Sequence, residues 1–206
     1  MTAFRNTNIA LTPNAAPFAI RAEKVSDALA REALLDACFD TNRSSRTCER
    51  LRAGRAPAEG LAFSATRACG ESFGNSRNAT RLVGTLRLWH VSAGGIPALL
   101  LGPLAVEDSC RKLGAGAALM DHALAAARAR GHRAVLLLGD APYYARFGFS
   151  AERTASLSLP GPFERDRLLG LELSEGALDR ACGMIVPTGT AAKASPVRKA
   201  PRARAA

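Results

Sequence analysis

The stretch from Leu99 to Gly116 constrains the fold of this chain more than any other. It reads Leu-Leu-Leu-Gly-Pro-Leu-Ala-Val-Glu-Asp-Ser-Cys-Arg-Lys-Leu-Gly-Ala-Gly. An apolar run, Leu99 to Val106, stops at a short polar turn, and a helical pattern starts within Arg111-Lys-Leu-Gly-Ala-Gly116. The first N–H groups of a helix lack internal acceptors and lie at the positive end of its dipole, so an anion fits there. The dipole alone contributes ~0.3–1 kcal/mol per charge, too little to hold a large ligand. Several charge-assisted N–H bonds at ~1.5–3 kcal/mol each are enough. Gly114 and Gly116 leave the backbone open to close approach. The same glycines also suit a plain strand–turn–helix joint that only needs tight packing. Pro103 cannot donate to a sheet ladder, so the apolar run carries an edge or a bulge, with Gly102 beside it.

The neighbouring segments extend this unit. Leu119, Met120, Ala123, Leu124 and Ala127 form an apolar stripe over Gly114 to Arg130, and Gly131 follows as a helix stop. His132 to Leu138 is then nearly all apolar, as a parallel strand covered on both faces would be. Strand, turn, helix and strand make a βαβ unit with a right-handed crossover. Upstream, Phe18 to Lys24, Leu61 to Arg67 and Arg81 to Val91 read as strands, and Ser92 to Pro97 as a hairpin turn. They predict an antiparallel meander. Ser26 or Asp27 starts a helix that runs to about Phe39, with Leu29, Ala33, Leu34, Ala37 and Cys38 inward. Thr47 to Leu51 suits a second helix within an arginine-rich segment holding Arg43, Arg46, Arg50, Arg52 and Arg55. Asp140 and Pro142 open a short helix that ends at Gly148, and Leu157 to Leu159 and Leu168 to Leu173 supply closing strands.

At 206 residues the chain suits one domain with tails. Residues 1–16 and 187–206 are expected to be disordered, leaving 17–186 as the domain. The net charge is +10, and half of it comes from Lys193, Arg198, Lys199, Arg202 and Arg204 in the terminal segment. With no aromatic residues interleaved among these cations, the charge does not point to specific nucleic-acid binding. No apolar run is long enough for a transmembrane helix, and no secretory signal is seen. Five cysteines, none in a CxxC pair, argue for reduced thiols and against a disulfide framework or a zinc site. A cytoplasmic protein without a membrane or metal partner is expected, as a monomer or a homodimer.

Val106-Glu-Asp-Ser-Cys-Arg111-Lys-Leu-Gly114-Ala-Gly116 resembles the acetyl-CoA signature of the GCN5-related N-acetyltransferase (GNAT) superfamily. Pro142-Tyr-Tyr-Ala-Arg-Phe-Gly-Phe149 resembles its second signature, with Tyr144 four residues before Gly148-Phe149. The resemblance is clear over Arg81 to Ser150. Leu113 stands where a basic or polar residue is usual, and Lys112 where glycine or another small or basic residue is common. The resemblance implies a mixed, mostly antiparallel sheet with flanking helices, of α/β (α+β) class, splayed to admit acetyl-CoA. It implies that Leu104, Ala105 and Val106 pair with the pantetheine arm. It further implies that the amides of Arg111, Lys112, Leu113, Gly114, Ala115, Gly116 and Ala117 bind the pyrophosphate. The implied activity is direct transfer of an acetyl group to an amine on a small molecule or a protein. A non-catalytic acyl-CoA-binding regulatory module is the alternative.

Such a transfer needs a neutral amine, although a lysine-type amine has a pKa near 10.4, and a proton for the departing thiolate. The resemblance makes Tyr144 the acid and the Val106 N–H the donor to the carbonyl oxygen. Tyr143 is expected to pack inward. Glu59, His90, Glu107 and Asp140 are all open as the base, and water can replace any of them. Cys110 has no neighbour that would activate it, which disfavours a covalent acyl-cysteine route. The arginines from Arg43 to Arg55, if they border the acceptor, favour an acidic one.

Overall fold

The structure, a computed structural model, describes residues 18–39, 43, 45–68 and 80–192. Eight strands make one sheet: β1 (Ala19–Ala22), β2 (Ala62–Ala68), β3 (Thr80–Ala93), β4 (Ile96–Val106), β5 (Ala134–Leu138), β6 (Leu157–Ser158), β7 (Leu168–Glu172) and β8 (Gly183–Pro187). The helices are α1 (Ala28–Phe39), α2 (Thr47–Arg52), α3 (Asp108–Arg111), α4 (Ala115–Ala129) and α5 (Ala141–Ala145). The main strand order is β1-β2-β3-β4-β5-β7, with β8 against the end of β3 and β6 against β8. Pairing is antiparallel except between β4 and β5 and between β6 and β8. The mixed, mostly antiparallel sheet is the one expected.

Alternation along β4 and β5 builds a core on each face of the sheet. Leu99, Leu101, Val135 and Leu137 meet the α4 stripe of Leu119, Met120, Ala123, Leu124 and Ala127. Leu100 and Leu136 meet Leu51 of α2, Trp89, Leu168 and Leu178 on the other face. Each buried leucine contributes roughly 1.5–3 kcal/mol. A strand buried on both faces has to be apolar at every position, which is why Leu99 to Leu101 shows no alternation in the sequence.

Helix α1 has its core face elsewhere than expected. Leu29 is 82% exposed, whereas Leu35 is buried. Arg31 lies inward because Glu23, which also holds Arg87, pairs with it. Charge pairing between α1, the segment after β1 and β3 replaces apolar contact there. Asp27 does not cap α1 directly. It closes the preceding 3-10 turn, accepting from the Lys24 N–H at 2.9 Å, Arg21 at 2.7 and 2.8 Å and Ser64 at 3.0 Å. The Arg21 guanidinium holds this carboxyl well below the usual carboxylate range.

β8 has no counterpart among the expected strands. The chain stays paired past Pro187: the Ala56 N–H donates to the Thr190 carbonyl at 2.9 Å and the Ala192 N–H to the Gly54 carbonyl at 2.9 Å. The expected disordered tail therefore does not begin at residue 187. The N-terminal segment before Phe18 and the tail beyond Ala192 lie outside the described residues. None of the described helices is long and apolar enough to cross a membrane.

Candidate active site

The parallel pair β4 and β5 is in register only at Leu99 with Val135 and Leu100 with Leu136. Beyond Leu100 the two strands part. β4 slips its register against β3 between Leu86 and Leu88, where Gly102 and Pro103 form the expected bulge. After the bulge the register resumes with Leu104 opposite Leu86, Ala105 opposite Thr85 and Val106 opposite Gly84. The Glu107 N–H donates to the Val83 carbonyl at 2.8 Å, which fixes the alternation in this antiparallel ladder. Ala105 points its amide and carbonyl at β3. Leu104 and Val106 point theirs to the open side, where β5 has moved away. Side chains approach the Val106 carbonyl there, Arg111 through Nε at 3.3 Å and Cys38 through Sγ at 3.6 Å.

The turn after β4 folds as the short helix α3 and then reverses at Gly114, whose φ of +84° favours glycine. α4 starts one residue later, and its first amides have no intrahelical acceptor. A Cβ on Gly116 would stand 2.9 Å from the Tyr143 hydroxyl and 3.6 Å from the Val106 side chain. The residue must be small for β4, α4 and α5 to converge there.

A cleft of about 1130 Å³ occupies this convergence. Of the ten residues expected to meet a cofactor, Leu104, Ala105, Val106, Arg111, Lys112, Gly114, Gly116 and Ala117 line it. Leu113 is not among the lining residues and is exposed, and Ala115 is buried in the core beneath the turn. Arg111 pairs with Asp108 at 3.0 Å.

Both tyrosines of α5 line the cleft. The Tyr144 ring packs on Phe149, centroids 5.9 Å apart, and against Gly139, where a Cβ would collide with it. Burial, with Tyr143 and Asp140 nearby, pushes its phenol up to about 12. Tyr143 departs from expectation. It stands edge-on to Tyr144 under the Arg146 guanidinium, with its hydroxyl at Gly116 rather than in the core. Asp140 is the N-cap residue of α5 by backbone, but its carboxylate makes no capping bond.

The opposite wall comes from α1, α2 and the loop before β7. Thr47 donates to the Pro162 carbonyl at 2.6 Å and Arg50 to the Pro160 carbonyl at 2.9 Å, tying α2 to that loop. Of the arginine-rich segment, Arg43, Arg46 and Arg52 line the cleft. Arg55 turns away to the Gly189 carbonyl. Arg43 is held by Glu32 and Asp36, and Arg46 by the Phe39 carbonyl and ring. Arg52 pairs with Glu49 at 3.1 Å with its side chain 10% exposed, and its Nε is buried without an acceptor. A buried donor left unmet costs about 1–3 kcal/mol.

Among the four base candidates only Asp140 lines the cleft. Glu107 pairs with Arg81, and Glu59 is exposed. His90 lies in a separate hollow of about 510 Å³, its ring 5.4 Å from that of His132. Glu49 and Glu164 line the cleft without having been singled out from the sequence. No periodicity marks a glutamate on a six-residue helix or in a loop. Among the described residues no group of three or more His, Cys, Asp or Glu is placed to hold a metal ion.

A family model described as an acetyltransferase (GNAT) domain matches residues 76–151. Among solved structures, the GNAT family N-acetyltransferase YhbS from Escherichia coli, in complex with CoA, is 26% identical. That match covers 86% of this chain and 93% of the other, with a TM-score of 0.69. A GNAT family acetyltransferase from Brucella melitensis, in complex with acetyl-CoA, has the same fold at 23% identity. It covers 88% of this chain and 98% of the other, with a TM-score of 0.56. Comparison with curated proteins returns no match. The match spans the splayed strands, the glycine turn and α5, so residues 76–151 are similar to a GNAT acetyltransferase domain, and the chain shares the fold of the GNAT family structures.

Proposed function

We propose that the chain moves an acetyl group from acetyl-CoA to an amine held beside it in a ternary complex. The observation that carries this reading is the open edge of β4, where Leu104 and Val106 present backbone groups to a gap in the sheet. A pantetheine arm carries amides of its own and pairs with such an edge as a missing strand would. The pyrophosphate then falls at the start of α4, where Gly114, Gly116 and Ala117 line the cleft. The solved complexes of similar proteins with CoA and acetyl-CoA support the same ligand.

In the transfer the amine nitrogen attacks the thioester carbon. The carbonyl oxygen gains charge and accepts from the Val106 N–H. The C–S bond then breaks and the sulfur leaves as a thiolate. Tyr144 keeps its proton throughout the neutral range and donates to that sulfur. A thiol of pKa near 8.5 is the stronger acid by roughly three units, so full transfer from the phenol to a free thiolate is uphill. Tyr144 therefore acts as a hydrogen-bond donor to the developing charge, and the proton released by the amine completes the thiol. That proton leaves the amine through water or through a cleft carboxylate, of which Asp140, Glu49 and Glu164 are in place. Holding both reactants in one cleft supplies several kcal/mol without a covalent enzyme intermediate.

The test is release of free CoA from acetyl-CoA in the presence of an amine panel, beside calorimetric titration of the cofactor. Saturable binding with acceptor-dependent release supports the reading. Saturable binding with no release for any amine identifies a module that only binds acyl-CoA.

A further inference from the structure

We propose that the acceptor is an amine bearing a carboxylate, and that Arg52 is the group that recognises it. The inference rests on the transfer reading above and names the substrate class for the same cleft.

Arg52 differs from the other arginines of its segment. The Arg43 guanidinium is already committed to two carboxylates. Arg46 lies over Phe39 and bonds its carbonyl. Arg50 and Arg55 bond backbone carbonyls of other segments. Arg52 gives Nη1 to Glu49 and lies against the Cys48 thiol, and nine-tenths of its side chain is out of solvent. Its Nε has no acceptor. Its Nη2 stands 3.9 Å from where a Cβ on Gly102 would be, so the guanidinium sits beside the bulge at which β4 turns its open edge toward the cleft.

A desolvated guanidinium with an unmet N–H gains most from a planar anion able to take two bonds at once, and a carboxylate has that shape. The local charge agrees. On α2 and the residue before it, the cleft-lining Arg46 and Arg52 outnumber Glu49 by one charge, which suits an anion. On the transfer reading the cofactor phosphates belong at the start of α4, where Arg111 and Lys112 also line the cleft. An acceptor seated with its carboxylate on Arg52 enters next to Leu104 and Val106, where the thioester is held.

The experiment uses the full chain with acetyl-CoA and a panel of common amino acids, each beside its own carboxamide. For at least one pair we expect kcat/KM to be about 30-fold higher for the acid than for the amide. Arg52→Gln should raise KM for that acid about 30-fold and abolish the preference, with KM for acetyl-CoA unchanged. Arg52→Lys should restore part of it. The wild-type comparison stands even if a variant folds poorly. Amides used as well as acids in every pair overturn the proposal and leave the transfer reading intact. So does the absence of turnover with every amino acid while calorimetry shows the cofactor bound. No cofactor binding at all defeats the transfer reading itself.

Discussion

The two halves of β4 share one strand and one edge yet do opposite things. At Leu99 and Leu100 that edge is paired to β5, and both faces are sealed by apolar side chains. At Leu104 and Val106, past the bulge, it faces a cleft. The sealed half lacks polar handles and supplies rigidity. The open half exposes amides and carbonyls that a closed sheet would have consumed. Binding capacity here comes from backbone groups that no strand takes up, of which the Val106 carbonyl meets only side-chain donors, held in place by a neighbouring half that is paired on both edges.

Separate substitutions should break the two halves separately. The largest effect belongs to the sealed half. Leu100→Ala should cost ~2–5 kcal/mol of stability in urea unfolding, because a fully buried leucine leaves a cavity. The remaining folded protein should keep its KM for acetyl-CoA. In the cleft that the open half faces, Tyr144→Phe should lower kcat about 100-fold with little change in cofactor affinity, measured by CoA release and by calorimetry. Because burial raises the Tyr144 phenol to about 12, its donor form is lost only as pH rises toward that value. The wild-type rate should therefore show no alkaline limb from this residue below about pH 10. Gly116→Val should weaken cofactor binding about 10-fold, since the added side chain meets Tyr143 and fills the turn. Gly114→Ala should cost about 1 kcal/mol of stability, because its φ of +84° strains any residue with a Cβ.

The sealed half was the more legible in the sequence. An unbroken apolar strand, a helix with Leu119, Met120, Ala123, Leu124 and Ala127 on one stripe, and a second apolar strand admit few arrangements, and the structure has the expected one. The glycine turn was legible too, because Gly114 and Gly116 mark backbone that must stay uncovered. Features settled by long-range charge pairing or by short irregular segments were not. Nothing local tells that Arg31 turns inward to Glu23, so the inner face of α1 was misplaced. β8 holds Met184 and Val186 facing out between Gly183 and Pro187, and carries no inward stripe to read. The resemblance separates Tyr144 from Tyr143, but nothing local places their hydroxyls. Only the fold shows one hydroxyl at Gly116 and the other ring on Phe149. The cleft side of the arginine-rich segment depended on the tie from α2 to Pro160 and Pro162, more than a hundred positions away in the chain.

The most direct test of the open edge is amide hydrogen exchange with and without acetyl-CoA. Leu104, Val106 and the first amides of α4, Ala115 to Ala117, should gain protection on binding, while Leu99 and Leu100, already paired to β5, should not change. Unchanged exchange at Leu104 and Val106 under saturating cofactor, or protection confined to the hollow around His90 and His132, would contradict the account.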